Sequence, residues 1–181
     1  MLAYVFWHQK AKDYSEDEYV NSLVDFHKYF NENVKIDGYI GSIVIKVNFV
    51  PWTEEVVYED WYLLENSRTL DLINDIVEKD KKVREIHDKV ARMARNGKGG
   101  LYKLINGSLD SPSYPYAYWI SKPLGMSYDD FYKEIAFQNL WRKQLAFGPF
   151  TEFCVFTKES INISSKFSPI FQRRYKLYSY K

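Results

Sequence analysis

The chain has 181 residues, 46% of them hydrophobic and 18% aromatic, with 25 basic against 24 acidic side chains for a net charge of +1. That composition supports a packed core and excludes a disordered chain. The balanced charge lacks the basic excess of phosphate-driven nucleic-acid binders, so nucleic acid is not an expected partner.

Residues 2–9 are apolar and aromatic and predict a strand; the stretch is too short, and lacks the basic flank, for a signal peptide. Ser15 followed by Glu18 forms a capping-box pattern, because the two side chains can satisfy free amides at a helix start. The helix it opens reaches about Asn33, with Tyr19, Val20, Leu23, Val24, Phe26 and Phe30 near a 3.6-residue period. Gly38 ends the turn, and the β-branched stretch 39–50 predicts a second strand. Residues 56–65 predict a third strand, joined to the second by a hairpin over 51–55. A helical region opens at Ser67, with Leu70, Ile73, Ile76 and Val77 inward, and continues or restarts through 78–95. The charge run 78–82 reads as a solvated face or bend. Asn96-Gly97-Lys98-Gly99-Gly100 is expected to stop the helix, and 101–105 is the fourth strand. A glycine-rich loop that follows a helix and precedes a strand has the wrong order for a phosphate cradle.

That order, β-α-β-β-α-β, is the ferredoxin-like arrangement. Residues 106–115 read as a linker. After it come a strand at 116–122, a helix from Ser127 with Phe131, Ile135, Leu140 and Phe147 inward, a stop at Gly148-Pro149, and strands at 150–157 and 171–180. The expected organisation is therefore α+β: a complete ferredoxin-like unit at 1–108 and a truncated β-α-β-β unit at 109–181, packed as one globular domain. Local matches support a repeat. Ala3-Tyr4 resembles Ala117-Tyr118, and residues 14–19 resemble 126–131, a register that aligns His27 with Asn139.

The strands do not alternate cleanly. Ala3, Val5 and Trp7 point one way and Tyr4, Phe6 and His8 the other, so both faces are apolar. Sheets of this kind need helices on one face and another sheet on the other, here the second unit, a partner chain, or both. A homodimer is the expected assembly.

Residues 56–76 (VVYEDWYLLENSRTLDLINDI), 84–104 (REIHDKVARMARNGKGGLYKL) and 139–156 (NLWRKQLAFGPFTEFCVF) resemble passages of the dimeric α+β barrel superfamily. The resemblance is one of pattern and covers most of the chain. It implies an antiparallel barrel of two face-to-face sheets and a cleft between helices and sheet. The superfamily hosts cofactor-free monooxygenases, haem proteins, isomerases and stress-responsive proteins, so it assigns no function.

Three histidines can act as acid, base or ligand: His8, His27 and His87. His27 shares the inward helix face and is the candidate catalytic residue; a hydrogen-bonded core histidine is the plain alternative. The pocket candidates are His8, His27, Trp61, Glu65, Trp119, Asn139 and Trp141, with the tryptophans as pocket walls or as ordinary packing. Glu59 shares the Trp61 face and is a second possible carboxylate base. No zinc spacing and no haem-ligand motif is present, so neither metal nor cofactor is expected. The single Cys154 permits no internal disulfide and fits a reducing, cytoplasmic setting; no apolar run reaches membrane-spanning length. The expected function is a small-molecule enzyme or binder for a hydrophobic or aromatic compound. The alternatives are a structural or interaction protein with a solid barrel and, more weakly, nucleic-acid binding through the sheet aromatics and the 173–176 tail.

Overall fold

Ser15 does cap the first helix: its Oγ accepts from the Glu18 amide, and Glu16, Asp17 and Glu18 place negative charge on the first turn. The computed structural model describes residues 1–135, 138–146 and 151–181. The first half runs β1 (Leu2–Lys10), α1 (Glu16–Asn33), β2 (Tyr39–Val47), β3 (Val57–Leu64), α2 (Arg68–Lys79), α3 (Lys81–Met93) and β4 (Ala94–Asn106). Asp80 divides the two later helices, accepting from the Val83 amide at 2.9 Å, so the charge run is a capped bend. The second half runs β5 (Tyr116–Ile120), α4 (Tyr128–Ile135), β6 (Asn139–Ala146), β7 (Phe153–Thr157) and β8 (Ile170–Ser179).

The eight strands close into one antiparallel barrel in the order β1-β3-β2-β8-β5-β7-β6-β4. Each half contributes four strands in the same relative order: β4-β1-β3-β2 in the first and β8-β5-β7-β6 in the second. The two seams are β2 with β8 and β4 with β6. Closure within one chain explains the two apolar faces without a partner. Ala3, Val5, Trp7, Ile43, Ile45, Val47, Trp61 and Leu63 point into the barrel, where they meet Trp119, Trp141 and Phe156 of the second half. On the outside, α1 and α3 lie over the first half, burying Tyr19, Leu23, Phe26, Phe30, Val83 and Val90 with Val44 and Tyr58. Each such side chain contributes roughly 1.5–3 kcal/mol.

Three expectations need correction. The helix begun near Ser127 ends at Ile135, and Asn139 opens a strand, β6, rather than lying on a helix. Leu140 faces α4 while Trp141 faces the barrel, a period of two that two adjacent apolar residues do not reveal. The edges of β4 and β7 both need a partner there, and that tertiary demand overrides local helix pattern. Residues 147–150, with the supposed inward Phe147 and stop at Gly148-Pro149, lie outside the described residues. Second, the later unit is not missing a strand. It has all four, and only its second helix is replaced, by the segment between β7 and β8 with a short 3-10 turn at Ser165–Phe167. Third, Gly97, Gly99 and Gly100 do not form a loop but lie in β4, and the helix ahead of them stops at Met93. The aromatic side chains of β1 require them: a Cβ at Gly97 would come 2.5 Å from Phe6 Cζ, and one at Gly99 would come 2.7 Å from the Tyr4 hydroxyl.

Candidate functional site

The outer face of β3 reads Tyr58, Asp60, Tyr62, a lone carboxylate on an otherwise aromatic strip beneath α1. Antiparallel pairing sets Phe6 of β1 and Val44 of β2 on either side of Asp60. Two residues further along β1, His8 turns its Nε2 to Asp60 Oδ2 at 3.0 Å. From above, α1 lowers His27, whose Nε2 stands 3.5 Å from the same oxygen. All three side chains are at least 95% buried. The expected pair His8 and His27 is thus brought together, around an acid that is not among the residues expected from the sequence.

The far sides of both imidazoles are held. Tyr19 of α1 hydrogen-bonds His8 Nδ1, and Ser42 Oγ of β2 lies 2.7 Å from His27 Nδ1. Ser42 Oγ also accepts from Asn31 Nδ2 at 2.8 Å, so its own proton is left to donate to His27 Nδ1. That choice puts the ring proton of His27 on Nε2, facing Asp60. Asn31 is fixed in turn: its Nδ2 donates to the His27 carbonyl and its Oδ1 accepts from Tyr39.

Burial alone would push the Asp60 carboxyl up, but the charge and hydrogen bonding of His8 and His27 outweigh it and hold it well below the usual carboxylate range. Asp60 is therefore ionised at neutral pH. Burial drives the phenols the other way. Tyr19, Tyr62 and Tyr4 are all raised, with the Asp60 charge adding to the effect, so they stay protonated, and Tyr19 can donate to His8.

A cleft of about 360 Å³ opens against this cluster, between α1, α3 and the sheet. Leu23, Phe26, Val90 and Phe6 make its walls apolar, His8, Asp60 and Tyr62 form its polar end, and His87 and Arg95 also line it. The volume lies in the range of small-molecule sites. One buried polar atom at the cluster, Asp60 Oδ1, has no hydrogen-bond partner, and His27 Nε2 is engaged only by the long 3.5 Å approach to Asp60 Oδ2. Unpaired buried groups of this kind are uncommon and call for a physical explanation, of which a ligand is one. Phe6 stacks on the His8 ring, with centroids 5.2 Å apart, and lies across Gly97. A Gly97→Ala substitution is therefore expected to drive Phe6 into the cleft and to cost roughly 1–3 kcal/mol by overpacking. Denaturant unfolding reads the stability, and unchanged stability would show that Phe6 has room to turn elsewhere.

The remaining expected residues lie elsewhere. Trp61, Trp119 and Trp141 fill the barrel interior together with Trp7 and Tyr102, on the opposite face of the sheet from the cleft. Glu65 lies just beyond the end of β3 and is exposed. Asn139 is not the counterpart of His27: it lies on β6, and its side chain donates to the Phe156 carbonyl and accepts from the Ser108 amide. Glu59 points into the barrel and pairs with Arg174, so the 173–176 tail is not a continuous basic surface. Cys154 is buried, and burial pushes its thiol well up, which suits an unreactive core residue. Among the described residues no group of three or more His, Cys, Asp or Glu side chains is arranged to hold a metal ion. His8 and His27 instead use their Nδ1 atoms on Tyr19 and Ser42 and turn Nε2 to one oxygen of Asp60.

No protein-family profile matches the chain, and no curated protein does. Among solved structures, the chain is similar to an anthrone oxidase-like protein, at 8% identity and a TM-score of 0.56 over 97% of this chain and 90% of that one. It also aligns with a putative chlorite dismutase, at 16% identity and a TM-score of 0.46 over 98% of this chain and 96% of that one. The first likeness is one of fold, the α+β barrel. No helix among the described residues is long and apolar enough to cross a membrane.

Proposed function

We propose that the chain is a small-molecule enzyme or binder that takes an apolar, ring-bearing compound into the cleft beneath α1 and α3. Proton transfer is the chemistry its residues support. The observation that carries this reading is the ionised Asp60, held between two imidazoles at the end of an apolar cleft with one oxygen unpaired. A hydroxyl or an acidic C–H of the ligand would meet Asp60 Oδ1. The imidazoles would take up the proton or balance the charge that develops, and Tyr19 and Ser42 would hold their ring orientation. An apolar wall strengthens each of these interactions by excluding water.

The test uses 2-tetralone, an apolar bicyclic ketone with acidic C–H bonds. Incubated with the protein in D₂O, it should exchange hydrogen for deuterium faster than in buffer, as read by NMR. His27→Ala and Asp60→Asn should each lower that rate about 10²-fold or more, the scale of one general acid–base contribution. Binding without exchange would leave a binder, and no binding by this or related ring compounds would remove the reading. A solid structural barrel is the competing account. The tryptophan-filled interior favours it, but the cleft lies outside that interior.

Assembly as a homodimer is a separate proposal. Because the barrel closes within one chain, a second copy would meet outer surfaces only. Light scattering on the eluting protein decides it. A reducing, cytoplasmic setting rests on the single buried thiol.

A further inference from the structure

A second cleft, of about 350 Å³, opens at the end of the barrel, on the other side of His8 and Gly97 from the first. A β-bulge makes room for it. The pairing of β1 with β4 shifts between Trp7 and Gln9, and Asn96 takes the left-handed conformation with φ 54°. Bulges and non-glycine residues with positive φ concentrate beside functional sites. Trp7 and Val57 form its buried wall, and Trp52 joins them, edge-on to Trp7 at 5.0 Å between ring centroids.

Three side chains of this cleft, Trp7, Gln9 and Lys98, offer donors. Trp7 is 3% exposed, yet its indole N–H has no acceptor. A buried donor left unpaired costs roughly 1–3 kcal/mol, which an incoming acceptor would recover. Gln9 is 6% exposed, and its Oε1 already accepts from Asn96 Nδ2 at 2.6 Å, leaving the Gln9 amide N–H groups for another partner. Lys98 stands exposed at the rim, and among the described residues no Asp or Glu lines the cleft. Donors, one cation and an aromatic wall define a single ligand chemistry.

We propose that this cleft is a second binding site, distinct from the histidine cleft, for an aromatic carboxylate. The ring lies against Trp7 and Trp52. The carboxylate accepts from the Trp7 indole and the Gln9 amide and pairs with Lys98.

The test titrates benzoate, with neutral benzamide as control, into full-length protein carrying ¹⁵N-labelled tryptophan. The five indole N–H signals are followed by NMR, with Trp7→Phe and Trp52→Phe to assign them. Benzoate should move the Trp7 signal, and benzamide should bind at least about tenfold more weakly. Lys98→Gln, an exposed change that leaves the core intact, should weaken benzoate about tenfold, as expected for losing one charge-assisted contact. Asp60→Asn should leave benzoate binding unchanged, so the outcome does not depend on the chemistry of the first cleft. If Trp7→Phe does not fold, Gln9→Ala serves in its place and should also weaken binding. The proposal is overturned if the Trp7 signal does not move up to about 10 mM benzoate, if benzamide binds equally well, or if Lys98→Gln binds as wild type.

Discussion

Arg174→Met is expected to destabilise the protein by about 3–5 kcal/mol, the largest effect of any single substitution considered, although Arg174 is remote from the cleft. The guanidinium is fully buried inside the barrel and donates to Glu59 Oε2 at 2.6 Å, to Gln172 Oε1 at 3.2 Å and to the Pro112 carbonyl at 2.9 Å. It also lies over the Phe156 ring, at 4.7 Å from the centroid. Methionine keeps much of the volume but leaves Glu59 as a buried anion, supported among the described residues only by the Trp61 indole at 3.0 Å. The double variant Glu59→Gln/Arg174→Met removes both charges together and should recover most of the loss, because an apolar replacement of a whole buried pair is often neutral. Denaturant unfolding measures this as a fall in midpoint at unchanged slope. A single variant within about 1 kcal/mol of wild type would mean that water reaches Glu59.

Asp60→Asn should be the second largest change, and the pH at which it is measured should alter its size. At neutral pH the substitution removes the acceptor for two buried imidazoles, at a cost of roughly 3 kcal/mol. In the folded protein the Asp60 carboxyl lies below its ordinary value of about 3.9. Below that ordinary value the unfolded chain takes up the proton first, so acid favours unfolding. The stabilisation is whole above about pH 5 and declines as the pH falls toward the folded-state value. The amide introduced by Asp60→Asn does not titrate and carries no such dependence. The gap between wild type and Asp60→Asn should therefore narrow steadily below about pH 4. A gap that stays constant down to about pH 2 would show that Asp60 is not held ionised by its neighbours.

Much of the first half was legible because each element obeys one period. Ser15 and Glu18 mark the helix start, and Tyr19, Leu23, Phe26 and Phe30 recur on one face. The two apolar faces of β1 called for layers on both sides, which the barrel and α1 provide. The second half was harder. Leu140 and Trp141 are both buried but point to opposite layers, and an adjacent apolar pair buried on both sides carries no period to distinguish strand from helix.

The site was half legible for a similar reason. His27 declared itself as a polar residue on an inward helix face, and His8 as a polar residue near the end of an apolar strand. Asp60 carried the same kind of signal, one acid between Tyr58 and Tyr62 on a strand face that helices cover. Its signal was masked by Glu59 and Trp61, its neighbours on the other face, which pair an acid with an aromatic in the same way but belong to the barrel interior. Tyr19 and Ser42 read as ordinary helix and strand residues, and only the docking of α1 gives them their contacts.

The matching strand order of the two halves has a consequence for stoichiometry. A barrel assembled from two identical units carries two equivalent clefts, so its occupants can cooperate or exclude one another. Here the layer between α4 and its strands is Tyr118, Ile120, Phe131, Ile135, Leu140, Phe153 and Val155, and among the described residues no buried histidine or acid joins it as His8, His27 and Asp60 join the first half. One half carries the cleft with its titratable groups, and the other carries an apolar layer in the equivalent place. The histidine cleft should therefore saturate at one ligand per chain, with a simple hyperbolic isotherm.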